Sequence, residues 1–211
     1  MFVPASELAK QLQYLHTIGR KFVELRTAAE GTGSTVAVSF DDGYRSVVEQ
    51  GLPVLDRHNV KATLFVVAGE LGGINRWDVE HRADPLPLAD ENMIRVWLKA
   101  GHFIGSHSLN HRNLSKLPLR DLPGQVAESK RRLEDMFQCA VEDFSYPHGR
   151  YSLPVQSALQ EAGYLRGWTT DFGVVQPACD PLALPRIQPL RIEQIAVKAF
   201  RLFRCRIGLP G

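Results

Sequence analysis

Two hydrophobic rhythms take turns along this chain. Over residues 5–19, Leu8, Leu12, Leu15 and Ile18 recur at spacings of three and four, one face of a helix, with Ser6 as a candidate cap and Gly19 as a stop. Residues 22–25 read as a short strand. The β-branched and aromatic run from Val36 to Phe40 reads as a buried strand, and it stops in Asp41, Asp42 and Gly43. Residues 46–58 carry Val47, Val48, Leu52 and Leu55 at helical spacing, and Gly51 and Pro53 mark where that helix is expected to break. Residues 62–67 form a second strong strand. A helix over 90–100, with Met93, Ile94, Trp97 and Leu98 on its apolar side, leads into a third strand at 102–106. Helices over 119–137 and 153–161 then alternate with strands over 144–146 and 167–170. Residues 71–88, rich in Gly, Pro and charge, are expected to form an excursion over one mouth of the fold.

Strands that alternate with helices predict parallel pairing through crossover helices, hence an α/β fold, open or closed into a barrel, in a single domain over 1–211. Functional sites of such folds lie past the C-terminal ends of the strands. Asp41, Asp42, His107, His111 and His148 all fall there.

Composition narrows the partners. With 44% hydrophobic and 23% charged residues among 211, the chain has the balance of a globular protein with a sizeable core. A formal charge of +2 and the lack of an aromatic-interleaved basic stripe argue against a nucleic-acid surface. Cys139, Cys179 and Cys205 are odd in number and widely spaced, which indicates neither a disulfide framework nor a thiolate zinc site and suits a reducing compartment. The first ten residues lack a charged segment followed by an apolar one, so the expected location is cytoplasmic.

Adjacent acids at a strand end invite separate roles, because successive strand side chains point to opposite faces: one of Asp41 and Asp42 for a cation, the other for protons. His107-Ser-Leu-Asn-His111 sets two imidazoles four apart, on one face if the loop turns helically, and with a carboxylate they complete a two-histidine, one-carboxylate set for a divalent metal. In Phe144-Ser-Tyr-Pro-His-Gly149, Pro147 and Gly149 fix a tight turn whose N–H groups are candidate donors to an oxyanion. His16, His58, His81 and His102 have no such partners and read as structural or solvent residues.

In order and spacing, SFDDG at 39–43, HSLNH at 107–111 and FSYPHG at 144–149, supported by ATLFVV at 62–67 and LPRI at 184–187, resemble the motifs of the polysaccharide deacetylases, the NodB-homology or carbohydrate esterase family 4 enzymes. The resemblance implies a distorted (β/α) barrel that removes acetyl groups from N-acetylhexosamine units with zinc or a related divalent ion. It implies Asp42, His107 and His111 as metal ligands, Asp41 as the general base, and the His148 backbone N–H as an oxyanion donor. An acetylated carbohydrate would be the substrate. Hydrolysis of a non-sugar amide and a catalytically impaired sugar-binding homologue stand as alternatives.

Two departures bear on the chemistry. Many members carry an arginine that orients the base where this chain has Ser145, although a subgroup has small residues there. The late histidine that serves as general acid is absent, since no histidine follows His148. Two expectations stay open: the His148 side chain substitutes, or the natural gene extends upstream of Met1 and supplies a histidine from an earlier strand. Residues 192–207 set Ile195, Ala199, Leu202 and Phe203 against Lys198, Arg201, Arg204 and Arg206, a helix expected to dock on the barrel, with peripheral contact to anionic lipid as a second reading.

Overall fold

The computed structural model of the chain describes residues 3–31, 35–79 and 84–188, and structural statements below concern those residues. A two-stranded piece comes first, β1 (Lys21–Phe22) beside β2 (Thr35–Val36). Six strands then build one sheet in chain order: β3 (Val38–Phe40), β4 (Ala62–Val66), β5 (Phe103–Ser106), β6 (Asp143–Ser145), β7 (Arg166–Phe172) and β8 (Leu184–Arg186). Every neighbouring pair is parallel. Helix α1 (Ala5–Thr17) precedes the first strand, and the helices between strands are α2 (Leu25–Ala28), α3 (Leu52–Arg57), α4 (Arg76–Val79), α5 (Glu91–Lys99), α6 (Leu122–Phe137) and α7 (Leu153–Glu161).

A sheet to which each new strand adds on the same edge winds in one direction, as a (β/α) barrel does. No ladder joins β3 to β8 among the described residues. Even so, Arg186 at the end of β8 donates to Ser39 in β3 at 3.3 Å and to Asp41 just beyond it at 2.8 Å. The sheet is therefore curled until its ends meet, as a distorted (β/α) barrel requires.

Cover on both faces explains why all five residues of β4 are buried. Leu64 and Val66 join the large core beneath the helices, with Trp97, Ile94, Leu133 and Leu159. Phe65 points the other way, to Trp168 of β7 and Leu184 of β8, and fills the barrel interior. A Cβ on Gly105 would lie 2.5 Å from the Phe65 ring, so the neighbouring strand has to be bare at that point. Each large apolar side chain so buried contributes about 1.5–3 kcal/mol.

Several boundaries differ from expectation. The run from Val36 to Phe40 is split at Ala37 between β2 and β3, and β3 is half-buried rather than buried, because it lies at an end of the sheet. Leu25 opens α2 instead of closing a strand. The cap of α1 is Pro4 rather than Ser6, and Ile18 is exposed past its end. Residues 46–58 break as expected: a π-turn over Val47–Gly51 precedes α3, where Pro53 offers no N–H to continue the ladder. β8 has no counterpart in the sequence reading, since three residues with a central proline show no periodicity.

The described residues of the excursion are held in place by named contacts. Bridges join Tyr44 to Leu88 and Ile74 to Pro87. Asn75, fully buried, donates to Asp78 at 2.9 Å and accepts from the Leu86 N–H at 2.6 Å, while the Tyr44 hydroxyl donates to Asp78 at 3.0 Å. No described helix is long and apolar enough to cross a membrane. The predicted helix over 192–207, and His81, lie outside the described residues.

Candidate metal centre

Two strand ends converge at the C-terminal edge of the sheet. Asp42 follows β3, His107 follows β5, and His111 lies one turn further on. The Asp42 Oδ1 lies 3.3 Å from His107 Nε2 and 3.2 Å from His111 Nε2, and one donor atom from each of the three sits within 4.8 Å of the others.

The convergence does not come from the expected devices. Asp41 and Asp42 diverge because Asp42 is left-handed, at φ 70, ahead of Gly43 at φ 77, not because a strand alternates. His107 and His111 meet without a helix: Ser108 (φ 67) and His111 (φ 55) reverse the loop, the Ser108 hydroxyl accepts from the His111 N–H at 3.0 Å, and the ring centroids lie 4.9 Å apart. A left-handed residue with a Cβ costs about 1–2 kcal/mol. Of the six such described residues, Asp42, Ser108, His111 and His148 belong to this one region, so the strain is spent on aiming its side chains.

Hydrogen bonding fixes the ring of His107. Its Nδ1 lies 2.7 Å from the Ser145 carbonyl, which can only accept, so Nδ1 carries the proton and Nε2 faces Asp42. His111 is held by stacking: Trp77 covers it at 4.2 Å and 24°, His148 meets it edge-on at 4.6 Å, and its buried Nδ1 has no hydrogen-bond partner among the described residues.

Burial alone would raise the Asp42 carboxyl pKa, yet hydrogen bonds and charge from His107 and His111 hold it well below the ordinary range. Burial alone would lower His107, yet Asp42 and the charge of Asp41 raise it. The same geometry leaves His111 lowered, burial being the largest cause. Two carboxylates beside one buried imidazole thus favour a positive charge at this point, and a divalent cation on two imidazole nitrogens and one carboxylate oxygen fits that demand.

Asp41 turns away from this triangle to Arg186. The guanidinium donates to both carboxylate oxygens at 2.8 Å, to Ser145 Oγ at 2.9 Å and to the Thr169 carbonyl at 2.9 Å. Burial would raise the Asp41 pKa, but the Arg186 charge and hydrogen bonds outweigh it and hold the carboxyl below its ordinary range. The arginine missing at position 145 is therefore replaced from the far end of the sheet, and the small Ser145 leaves room for it. Sequence reasoning missed Arg186 as a site residue, although LPRI at 184–187 was the available signal.

The turn after β6 takes the expected tight form. His148 (φ 58) and Gly149 (φ 66) are both left-handed, and a Cβ on Gly149 would collide with Thr170. The Gly149 and Arg150 N–H groups fold back onto Tyr146 and Pro147, whereas among the described residues no backbone hydrogen bond uses the His148 N–H. The His148 ring is exposed at the edge of a 470 Å³ cleft running past His111 and Trp77. The histidines read as structural or solvent residues lie elsewhere: His16 and His58 stack on the surface and His102 is buried beneath α5.

Residues 28–167, which hold all three motifs, match the polysaccharide deacetylase family. The chain belongs to that family. Among curated relatives of this family member, YxkH of Bacillus subtilis, named as a candidate polysaccharide deacetylase, is 28% identical over 88% of this chain. A poly-beta-1,6-N-acetyl-D-glucosamine N-deacetylase of Staphylococcus aureus is 23% identical over 88% of this chain. The chain spans about two thirds of the curated relatives it matches, 65% of the first and 67% of the second. Among solved structures, IcaB of Ammonifex degensii superposes with a TM-score of 0.79 at 25% identity, over 92% of this chain and 88% of that one. The Streptococcus pyogenes deacetylase PplD, solved with acetate, also gives a TM-score of 0.79, at 21% identity over 93% of this chain and 87% of that one. The polysaccharide deacetylase fold therefore encloses the centre just described.

Proposed function

We propose that this chain is a divalent-metal-dependent N-deacetylase that releases acetate from N-acetylhexosamine units of a glycan or glycan precursor. The observation that carries the reading is the pairing of a cation-seeking Asp42–His107–His111 triangle with a second carboxylate, Asp41, held ionised beside it by Arg186. Acetylated poly-N-acetylglucosamine is the substrate named for the Staphylococcus aureus relative, and it supports the choice of sugar.

Asp42, His107 and His111 would hold the ion, most favourably Zn²⁺, whose usual donors they are. Bound there, it would supply Lewis-acid polarisation of the amide carbonyl and of a water. Asp41 takes the proton of the attacking water, and the Arg186 fork keeps that carboxylate charged and aimed. The His148 N–H, which has no backbone partner among the described residues, donates to the developing oxyanion. The His148 imidazole, at the cleft edge against His111, protonates the leaving amine.

Acetate release from acetylated chito-oligosaccharides tests the reading. Asp41→Asn is expected to keep its metal while losing about 10²–10⁴-fold in turnover. His107→Ala is expected to lose the metal by elemental analysis. Undiminished turnover in the first variant, or equal metal in the second, overturns the assignment. His148→Phe separates the two roles of that residue, since it removes the ring and keeps the N–H; unchanged turnover would assign the acid to another group.

A further inference from the structure

We infer that the cleft beside His111 is a subsite for an anionic substituent, a carboxylate or phosphate on the sugar next to the acetamido unit. The inference rests on the deacetylase reading and adds a substrate class to it. The cleft has a volume of 470 Å³ and opens from His111 and His148, so a glycan whose acetamido group reaches the metal centre would run its neighbouring unit into it. Arg76, Arg112 and Lys116 line it against the single carboxylate of Glu70, an excess of two positive charges. Arg76 stands 3.9 Å from Glu70, an extended contact, and among the described residues neither Arg112 nor Lys116 has an ion-pair partner.

Amide hydrolysis accounts for none of these three cations. The reacting acetamido group is neutral, and the carboxylates that attract positive charge at the centre, Asp41 and Asp42, are not among the cleft's lining residues. Unpaired guanidinium and ammonium groups at the edge of a reaction site suit an oxyanion: the fork of an arginine matches carboxylate or phosphate oxygens, and the lysine adds a point charge. Trp77, stacked on His111 and lining the same cleft, offers an aromatic wall for the sugar ring that carries the anion. The charges are solvent-exposed, Arg76 by 77% of its side chain, so the preference they generate is moderate and salt-sensitive.

Calorimetric binding to the metal-loaded protein tests this with three oligosaccharides of equal length. One is neutral N-acetylglucosamine, one alternates N-acetylglucosamine with glucuronic acid, and one bears phosphate monoesters. At low salt an anionic oligomer is expected to bind about tenfold more tightly than the neutral one, with the preference fading as the screening length falls to about 3 Å at 1 M salt. Whichever anionic oligomer binds tighter identifies carboxylate or phosphate. In the folded double variant Arg112→Gln, Lys116→Gln, checked by its melting temperature, the ratio of anionic to neutral affinity is expected to collapse towards one. Equal affinities in the wild-type protein, or a ratio the double variant leaves intact, overturn the inference. Acetate release from the same oligomers keeps the two readings apart. Selective binding without acetate overturns only the deacetylase reading, and acetate release without selectivity overturns only the subsite.

Discussion

At the scale of single residues, Arg186 shows how an orienting group can move while its geometry stays. The guanidinium belongs to a strand 145 positions from Asp41, yet it makes a two-pronged contact that locks the carboxylate in one rotamer and one charge state. Arg186→Gln is expected to lower turnover by about 10–100-fold with metal content unchanged, because the base loses its aim while Asp42, His107 and His111 keep theirs. Elemental analysis beside acetate-release kinetics checks it, and a variant with full turnover would reduce Arg186 to a structural tie. The residues legible in the sequence were those whose chemistry sits inside short motifs at strand ends: Asp41, Asp42, His107, His111 and His148. Arg186 was not, because an arginine among 25 basic residues carries no mark of its partner until the sheet curls. Aiming was equally hidden, since strand alternation and a helical loop were the simple routes and left-handed residues the actual ones.

At the scale of elements, the excursion over 71–88 was recognisable by its composition, but the bonding among its described residues was not. Asn75 organises it: one amide reaches the Tyr44 hydroxyl at 3.3 Å, Asp78 at 2.9 Å and the Leu86 N–H at 2.6 Å, and it thereby sets α4 so that Trp77 lies on His111. Asn75→Ala leaves the Leu86 N–H without its acceptor at a cost of about 1–3 kcal/mol, borne locally. The expected result is faster amide exchange across 71–88 and a several-fold higher KM for a glycan substrate, with metal content preserved. Unchanged exchange would mean that the Tyr44–Leu88 and Ile74–Pro87 bridges suffice. The turn after β6 is less forgiving. Gly149→Ala meets a left-handed backbone and the Thr170 side chain together, so the whole fold is expected to lose stability, by about 1–2 kcal/mol from the backbone alone, read as a lower denaturation midpoint.

At the scale of the whole molecule, alternation of strand and helix made the parallel winding legible, while the meeting of the first and last strands was not, because it depends on a three-residue strand and one ion pair. The opposite end of the sheet carries a different lock. His102, buried just ahead of β5 and stacked on Trp97 at 4.2 Å, accepts the Ala62 N–H on its Nδ1 at 3.1 Å and so ties β5 to β4. Burial, then the charge of Lys61, push its pKa below the ordinary 6.5, and Asp56, 3.6 Å from Nε2, offsets only part of this. The folded state therefore favours the neutral ring more than the unfolded chain does. Between the two pKa values the unfolded chain binds more protons, so this contribution is complete above pH 6.5 and is lost as pH falls through the folded value. His102→Gln removes the titrating group and leaves an amide in its place. Urea unfolding at pH 7.5 and pH 5 is expected to show a larger loss of stability in the wild-type protein than in the variant. The metal should be absent in both cases, so that His107 and His111 titrate alike and cancel. Parallel losses would show that His102 enters the core without a folding-linked proton and that acid acts on the barrel elsewhere.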